Sequence, residues 1–441
     1  MNKSGGTHLL KASFKWMLLA LAVFVIVTVG VYALIMRVSA PTVSVSGGTP
    51  APTAGPTPGA TPVQDAAPAA TAEPTPTPSP VPTAAPVQTE VTKLVRKTLS
   101  EMSVEEKLGQ LVMFGFVGTD APAEKYQDIM RAYHVGNAVL YGPNIESGDS
   151  DGGFGRAKKL TTALENINDS GIPLLVSIDV EGGSVVRFTW SPWPSSARTL
   201  GRNNDPDAAR AQFLRIGTAL KNAGINADLA PVLDIAEKPM DTFLTTRIIS
   251  SSAETASSIG TAVIEGLSGA NCLSTAKHFP GHGGTNDDSH AGTPVVDKSA
   301  EELLSYDLVP FRAGVAAGVD LVLVSHISYP ALDAEHIASQ SKNIMTDLLR
   351  GELGFEGVVM SDDFRMKGLT DQADAGEAAV NFINAGGDLI LCGAVPETQR
   401  AIMDALIKAA ADGTLTKARI DESVSRILEK KIKTSDWLTA G

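Results

Sequence analysis

Apolar positions fall into two regimes along the chain. Met17 to Met36 is an unbroken apolar run without a charge, whereas beyond about residue 91 short apolar runs alternate with stretches of helical periodicity. The first regime is long enough to cross a bilayer, which takes about 20 residues. The second holds eight strand-like runs: 110–116, 137–142, 174–179, 226–235, 272–279, 320–327, 357–363 and 388–393. Helical patterns separate them, among them AARAQFLRIGTALKNAG (208–224) and AGEAAVNFINAGG (375–387). The second of these closes on glycines, which stop a helix. SVEEKLGQLV carries a capping box, Ser103 with Glu106, at a helix start. Near-continuous apolar strands alternating with helices predict a parallel sheet covered on both faces. Eight such units predict an α/β fold, a (β/α)8 TIM-type barrel. An open doubly wound sheet loses its best support, because no G-x-G-x-x-G follows the first strand.

Charge orients the N-terminal run. Lys3, Lys11 and Lys15 precede it and only Arg37 follows closely. The positive-inside bias predicts residues 1–16 as a short cytoplasmic N-terminus, 17–36 as a transmembrane anchor, and everything after it outside the cell. A cleaved signal peptide is the rival, but cleavage in VSAP would fall before Pro41, a poor site; both versions export the rest. Residues 37–92 are rich in Pro, Thr and Ala, and half of the chain's 26 prolines lie between Pro41 and Pro86. Such a segment buries too little to fold and predicts a disordered linker. The globular part is then 93–441. A net charge of −13 with no basic stripe argues against nucleic acid as a partner. The two cysteines, Cys272 and Cys392, sit in apolar runs without a CxxC pair, which predicts buried thiols rather than a thiolate metal site.

Ionisable residues gather where the predicted strands end: Asp179, the aspartate of LAPVLD, Lys277 and His278, His326, and the Asp362–Asp363 pair. In a barrel those ends form the active-site rim. KHFPGHGGTNDDSH, 277–290, holds three of the chain's seven histidines: His278, His282 and His290. Zinc-type ligation is one reading, but the H-E-x-x-H frame is absent and Lys277 would add a cation. Ordinary hydrogen bonding at the rim is a second. The third is acid–base work on a polyhydroxylated substrate. Glycoside hydrolysis needs a carboxylate for the sugar's anomeric centre and a proton donor for the leaving oxygen. Asp362 suits the first task. Asp288 and His290 share a face at i, i+2 in extended chain and suit the second, the aspartate fixing the histidine's tautomer.

KHFPGHG…DSH, SIDVEGGSVVRF, GINADLAPVLDI and GVVMSDDFRM together resemble family 3 glycoside hydrolases, specifically the bacterial β-N-acetylhexosaminidases of the NagZ type, over about residues 95–435. The resemblance implies a single catalytic barrel domain without metal or organic cofactor. It implies Asp362 as nucleophile, His290 as general acid/base with Asp288 as its partner, and Asp179, Arg187, Arg247, Lys277 and His278 as sugar-binding residues. The implied reaction is retaining, exo-acting release of terminal β-linked N-acetylglucosamine from cell-wall peptidoglycan (muropeptide) fragments, with chitin oligomers as a second candidate. An anchored, extracellular, monomeric enzyme is the expected form. His282 is expected to be structural, and Asp287 and Asp363 to face solvent or stand behind the site. Trp190 and Trp193 could stack on a sugar, although half-buried rim positions suit them better. Gly284, where the family often has Asp or Ala, is expected to add flexibility. AEKPMDTFLTT before Arg247 lacks the family's asparagine-rich pattern, and RII replaces its usual RSF. A β-N-acetylglucosaminide phosphorylase and a non-catalytic wall-sugar binder are the alternatives, the second disfavoured by intact Asp288, His290 and Asp362.

Overall fold

The computed structural model describes residues 86–145, 151–236 and 244–438. Contacts divide the chain into residues 1–80 and 81–441, and everything described belongs to the second unit. The expected cytoplasmic segment 1–16, the anchor 17–36 and most of the linker therefore lie outside the described residues. Among the described residues no helix is long and apolar enough to cross a membrane.

The linker was expected to run to residue 92, but a helix, Pro86–Glu101, begins inside it. Proline is well suited to a first helical position, where its missing N–H costs nothing. Val91, Leu94, Val95 and Thr98 then recur at helical spacing; Val95 and Thr98 are buried. The helix lies against the C-terminal helix Lys417–Thr434. Its apolar stripe, not the proline content before it, decides where folded structure starts.

Each of the eight apolar runs contains one strand: β1 Val112–Phe114, β2 Asn137–Leu140, β3 Leu175–Ile178, β4 Ala227–Asp228, β5 Thr275–Phe279, β6 Leu321–Val324, β7 Val358–Ser361 and β8 Ile390–Cys392. Every strand residue is buried, as expected for strands covered on both faces. The strands are shorter than the runs. β4 is the extreme case, because Pro231 has no N–H for the ladder. Side chains pair there instead: Asn226 Oδ1 accepts from the Val176 amide at 2.7 Å and Asp228 Oδ1 from the Val180 amide at 2.8 Å.

All pairings between strands are parallel and form two sheets, β4-β3-β2-β1-β8 and β5-β6-β7. Single parallel bridges, Ala227 to Leu273, Val232 to Lys277 and Met360 to Leu389, run between the chain segments at the sheets' facing edges. The result is an α/β fold with a parallel core. The Ser103–Glu106 capping box forms as expected, with reciprocal bonds of 3.1 and 2.7 Å. The helical pattern 208–224 becomes Pro206–Asn222, and 375–387 becomes Ala375–Asn384, which ends before Gly386 and Gly387. The C-terminal helix is pinned beneath the sheet by buried Asp388, which accepts from Arg419, Arg426 and Ser423 of that helix and from Arg350.

Candidate active site

Loops after β2, β3, β4, β5 and β7, together with β5 itself, surround a cleft of about 260 Å³ at the carboxyl ends of the strands. That is where ligands bind in parallel α/β folds. Asp179, Arg187, Arg247, Lys277, His278, His290 and Asp362 all line it. Asp288, the remaining expected site residue, stands behind His290 and holds its Nδ1 at 2.8 Å.

Lys277 and His278 are consecutive yet both reach the cleft. A regular strand would send them to opposite faces. Here the pairing of β5 with β6 shifts register between Lys277 and Phe279, which breaks the alternation. The Lys277 ammonium lies 2.7 Å from Asp179 and 2.6 Å from Glu181. Arg247 donates to both carboxylate oxygens of Glu181, at 2.7 and 2.8 Å, and Arg187 reaches Asp179 at 3.3 Å. This chain of alternating charge forms one wall. Burial pushes the Asp179 carboxyl up, but Lys277 and Arg187 outweigh it and hold the group well below the usual carboxylate range. Glu181 is likewise raised by burial and brought down further by Lys277 and Arg247. Both stay ionised and can accept from hydroxyl groups.

Glu181 carries no expectation from the sequence, although its spacing from Asp179 was a usable signal: alternate residues at a strand end share a face. It is only 3% exposed and pairs with two cations. Removing one partner of a buried ion pair leaves the other uncompensated, at a cost of about 3–5 kcal/mol. Glu181→Ala is therefore expected to lower the melting temperature by about 5 °C or more. A scanning-calorimetry shift below one degree would contradict this account of the wall.

Asp234, in the loop after β4, is a second residue the sequence reading left without a role. Its carboxylate accepts from His278 Nδ1 at 2.6 Å and from the backbone amides of His278 and His282. Burial raises its carboxyl, but the neighbouring His278 and His282 bring it down to about 2. With Nδ1 so occupied, His278 presents Nε2 to the cleft. His282 is buried beside it, ring centroids 5.8 Å apart, and also lines the cleft. Burial lowers its basicity. Among the described residues, no three His, Cys, Asp or Glu side chains stand together in a metal-binding arrangement.

Some expectations need correction. Asp363, expected to face solvent or stand behind the site, lines the cleft beside Asp362, held by Arg365 at 2.5 Å and by the Tyr141 hydroxyl at 2.9 Å. Burial raises the Tyr141 hydroxyl's pKa well above its usual value, and the Asp363 charge adds to this. Gly284, expected to add flexibility, also has a steric reason to be glycine, since a Cβ there would lie 2.6 Å from Val296 Cγ1. Neither tryptophan lines the cleft. Trp190 is buried edge-on against Phe154 and Phe188, and Trp193, 54% exposed, donates its Nε1–H to the Gly183 carbonyl. His326, counted at the rim from the sequence, is buried with Nδ1 2.7 Å from Ser339 Oγ. Asp287 is exposed and outside the cleft, as expected. Arg247 enters the cleft despite the unusual sequence around it.

Comparison with known proteins agrees in its coverage with the fold. The glycosyl hydrolase family 3 N terminal domain matches residues 103–430. Beta-hexosaminidase A of Pseudoalteromonas piscicida is 31% identical over 71% of this chain and 56% of its own length. Beta-hexosaminidase LpqI of Mycobacterium tuberculosis is 33% identical over 75% of this chain and 83% of its own. The structure of a family 3 β-N-acetylglucosaminidase from Paenibacillus sp. superposes with a TM-score of 0.71 at 35% identity, covering 77% of this chain and 64% of that one. The chain thus spans little more than half of the first relative. A matching domain that runs from the Ser103 cap to the C-terminal helix, with relatives above 30% identity, settles its descent: the chain belongs to glycosyl hydrolase family 3.

Proposed function

We propose that the protein is a retaining, exo-acting β-N-acetylhexosaminidase that releases terminal β-linked N-acetylglucosamine. One juxtaposition supports this best. The Asp362 carboxylate and the His290 ring, carried on separate loops, line one polar cleft together with Asp179, Arg187, Arg247, Lys277 and His278. In the first step Asp362 attacks the anomeric carbon, the bond to the leaving oxygen breaks, and the proton on His290 Nε2 passes to that oxygen. Asp288, bonded to Nδ1, fixes the tautomer and aims the ring. Burial raises the Asp288 carboxyl, but bonds from the His290 amide and ring outweigh it, so the partner remains an ionised acceptor. In the second step the neutral His290 takes a proton from water, the water oxygen attacks the anomeric carbon, and Asp362 departs.

The cleft's volume, below the roughly 300 Å³ floor of drug-sized sites, suits one sugar ring and hence action at a chain end. The relatives' names support N-acetylglucosamine as that ring. Cell-wall fragments of the NagZ-type substrate class fit an exported domain held by residues 17–36 on a proline-rich spacer. The bridges between the two sheets support their closure into an eight-stranded barrel. A single chain supplies every group named, which supports a monomeric catalytic unit.

Water rather than phosphate is the acceptor in this scheme. Among the described residues, each lysine and arginine lining the cleft already pairs with a carboxylate: Lys277, Arg187, Arg247 and Arg365. An incoming phosphate would find no uncompensated cation there. The full-length protein in phosphate-free buffer is expected to release nitrophenol from its β-N-acetylglucosaminide at least about 100-fold faster than from the β-glucoside, the 2-acetamido group being read by a polar site. Silence on both until phosphate is added would establish a phosphorylase instead. Silence on both in either buffer, from folded protein, would leave a sugar-binding module.

A further inference from the structure

We propose that Gly368, Thr293 and Gln372 form a latch that fixes the acid–base loop to the segment bearing Asp362, making Thr293 and Gln372 positioning residues for His290. The proposal rests on the roles given above to His290 and Asp362.

The His290 side chain is 68% exposed. Asp288 orients the ring, but it belongs to the same loop and cannot set the distance from His290 to a nucleophile on another strand. Gly368 can. Its N–H donates to the Ser289 carbonyl at 2.9 Å, and its carbonyl accepts from Thr293 Oγ1 at 3.0 Å. A single residue thus holds the loop on both sides of His290. Gln372 Nε2 donates to the same Thr293 oxygen at 3.0 Å, which completes the hydroxyl's bonding as donor and acceptor.

Gly368 lies six residues after Asp362, beyond one turn of the chain. The Met366 amide donates to the Asp363 carbonyl at 2.9 Å, and Met366 lines the cleft. A Cβ on Gly368 would fall 2.6 Å from the His326 carbonyl oxygen and 3.3 Å from that of Gly292. The approach of the two backbones therefore requires glycine. The loop's other anchors are Ser289 Oγ, 3.5 Å from His282 Nε2; Gly283, whose Cβ would meet the Ile235 carbonyl at 1.7 Å; and Pro294 and Val296, which bond Ser328. Ser289 is 2% exposed although both its neighbours reach solvent more freely. The latch refers the acid and the nucleophile to one stretch of chain.

A misplaced proton donor harms only those substrates whose leaving group needs the proton. The informative quantity is the ratio of kcat/KM for the β-1,4-linked N-acetylglucosamine disaccharide to that for the nitrophenyl β-N-acetylglucosaminide, measured on the full-length protein. Thr293→Val and Gln372→Leu are each expected to lower this ratio by about tenfold, since displacements of about 1 Å cost up to roughly 100-fold. Thr293→Ser, which keeps the hydroxyl, restores it. A general loss of structure would lower both rates together and leave the ratio unchanged. Gln372 is exposed, so its variant keeps the test available if Thr293→Val fails to fold. An unchanged ratio in Gln372→Leu and in any folded Thr293→Val, with a shifted ratio in His290→Ala, overturns the latch alone. An unchanged ratio in His290→Ala overturns the acid role and the latch with it.

Discussion

Asp362→Asn is expected to lower kcat/KM on nitrophenyl β-N-acetylglucosaminide by about 10⁴-fold or more, the scale on which loss of a nucleophile acts. The substitution keeps the shape of the side chain. Asp362 follows β7, its amide bonded to the Val324 carbonyl at 3.0 Å, and its Oδ1 accepts from the Asp363 amide at 2.8 Å. Under the proposed mechanism Oδ2 is the attacking oxygen. An asparagine amide fits the same space but does not form the glycosyl ester, so the loss falls on chemistry and not on folding. A folded Asp362→Asn protein retaining more than about 1% of the rate would remove Asp362 from the role.

The second large effect belongs to His290→Ala and depends on the substrate. On the N-acetylglucosamine disaccharide, whose leaving oxygen needs a proton, kcat/KM is expected to fall by about 10²–10⁴-fold, the usual range for a general acid. On the nitrophenyl substrate the first step needs little protonation, so kcat/KM falls far less. Its kcat still drops, because the second step loses its general base and the glycosyl-enzyme accumulates. Equal losses of kcat/KM on both substrates would show that His290 does not protonate the leaving group.

Much of this arrangement was legible along the chain, for identifiable reasons. Strands covered on both faces must be apolar throughout, so all eight could be found from hydrophobic runs alone. Their ends were harder, because Pro231 and the side chains of Asn226 and Asp228 take over pairing in β4. Residues at strand ends, such as Asp179 and Asp362, could be picked out because the ends of parallel strands converge. What escaped depends on contacts across long sequence separations. Lys277 meets Asp179 from 98 residues away, and Tyr141 meets Asp363 from 222. Asp234 was visible as the close of a strand-like run, but its hold on His278 and His282 follows from the turn that brings their amides to it. The register shift that turns both Lys277 and His278 inward has no signature in hydrophobic alternation. Gly284 read only as freedom, whereas Val296 Cγ1 also leaves little room for a Cβ there. The start of the folded region was misjudged because proline content spoke louder than the stripe of Val91, Leu94 and Val95.

Covalent capture tests the central claim most directly. His290→Ala, incubated with nitrophenyl β-N-acetylglucosaminide, quenched in acid and digested, is expected to carry one N-acetylglucosaminyl residue esterified to Asp362, found by peptide mass mapping. Nitrophenol release with the sugar on another side chain, or with no adduct on any peptide from rapid-quench samples taken within the first turnover, would contradict double displacement through Asp362.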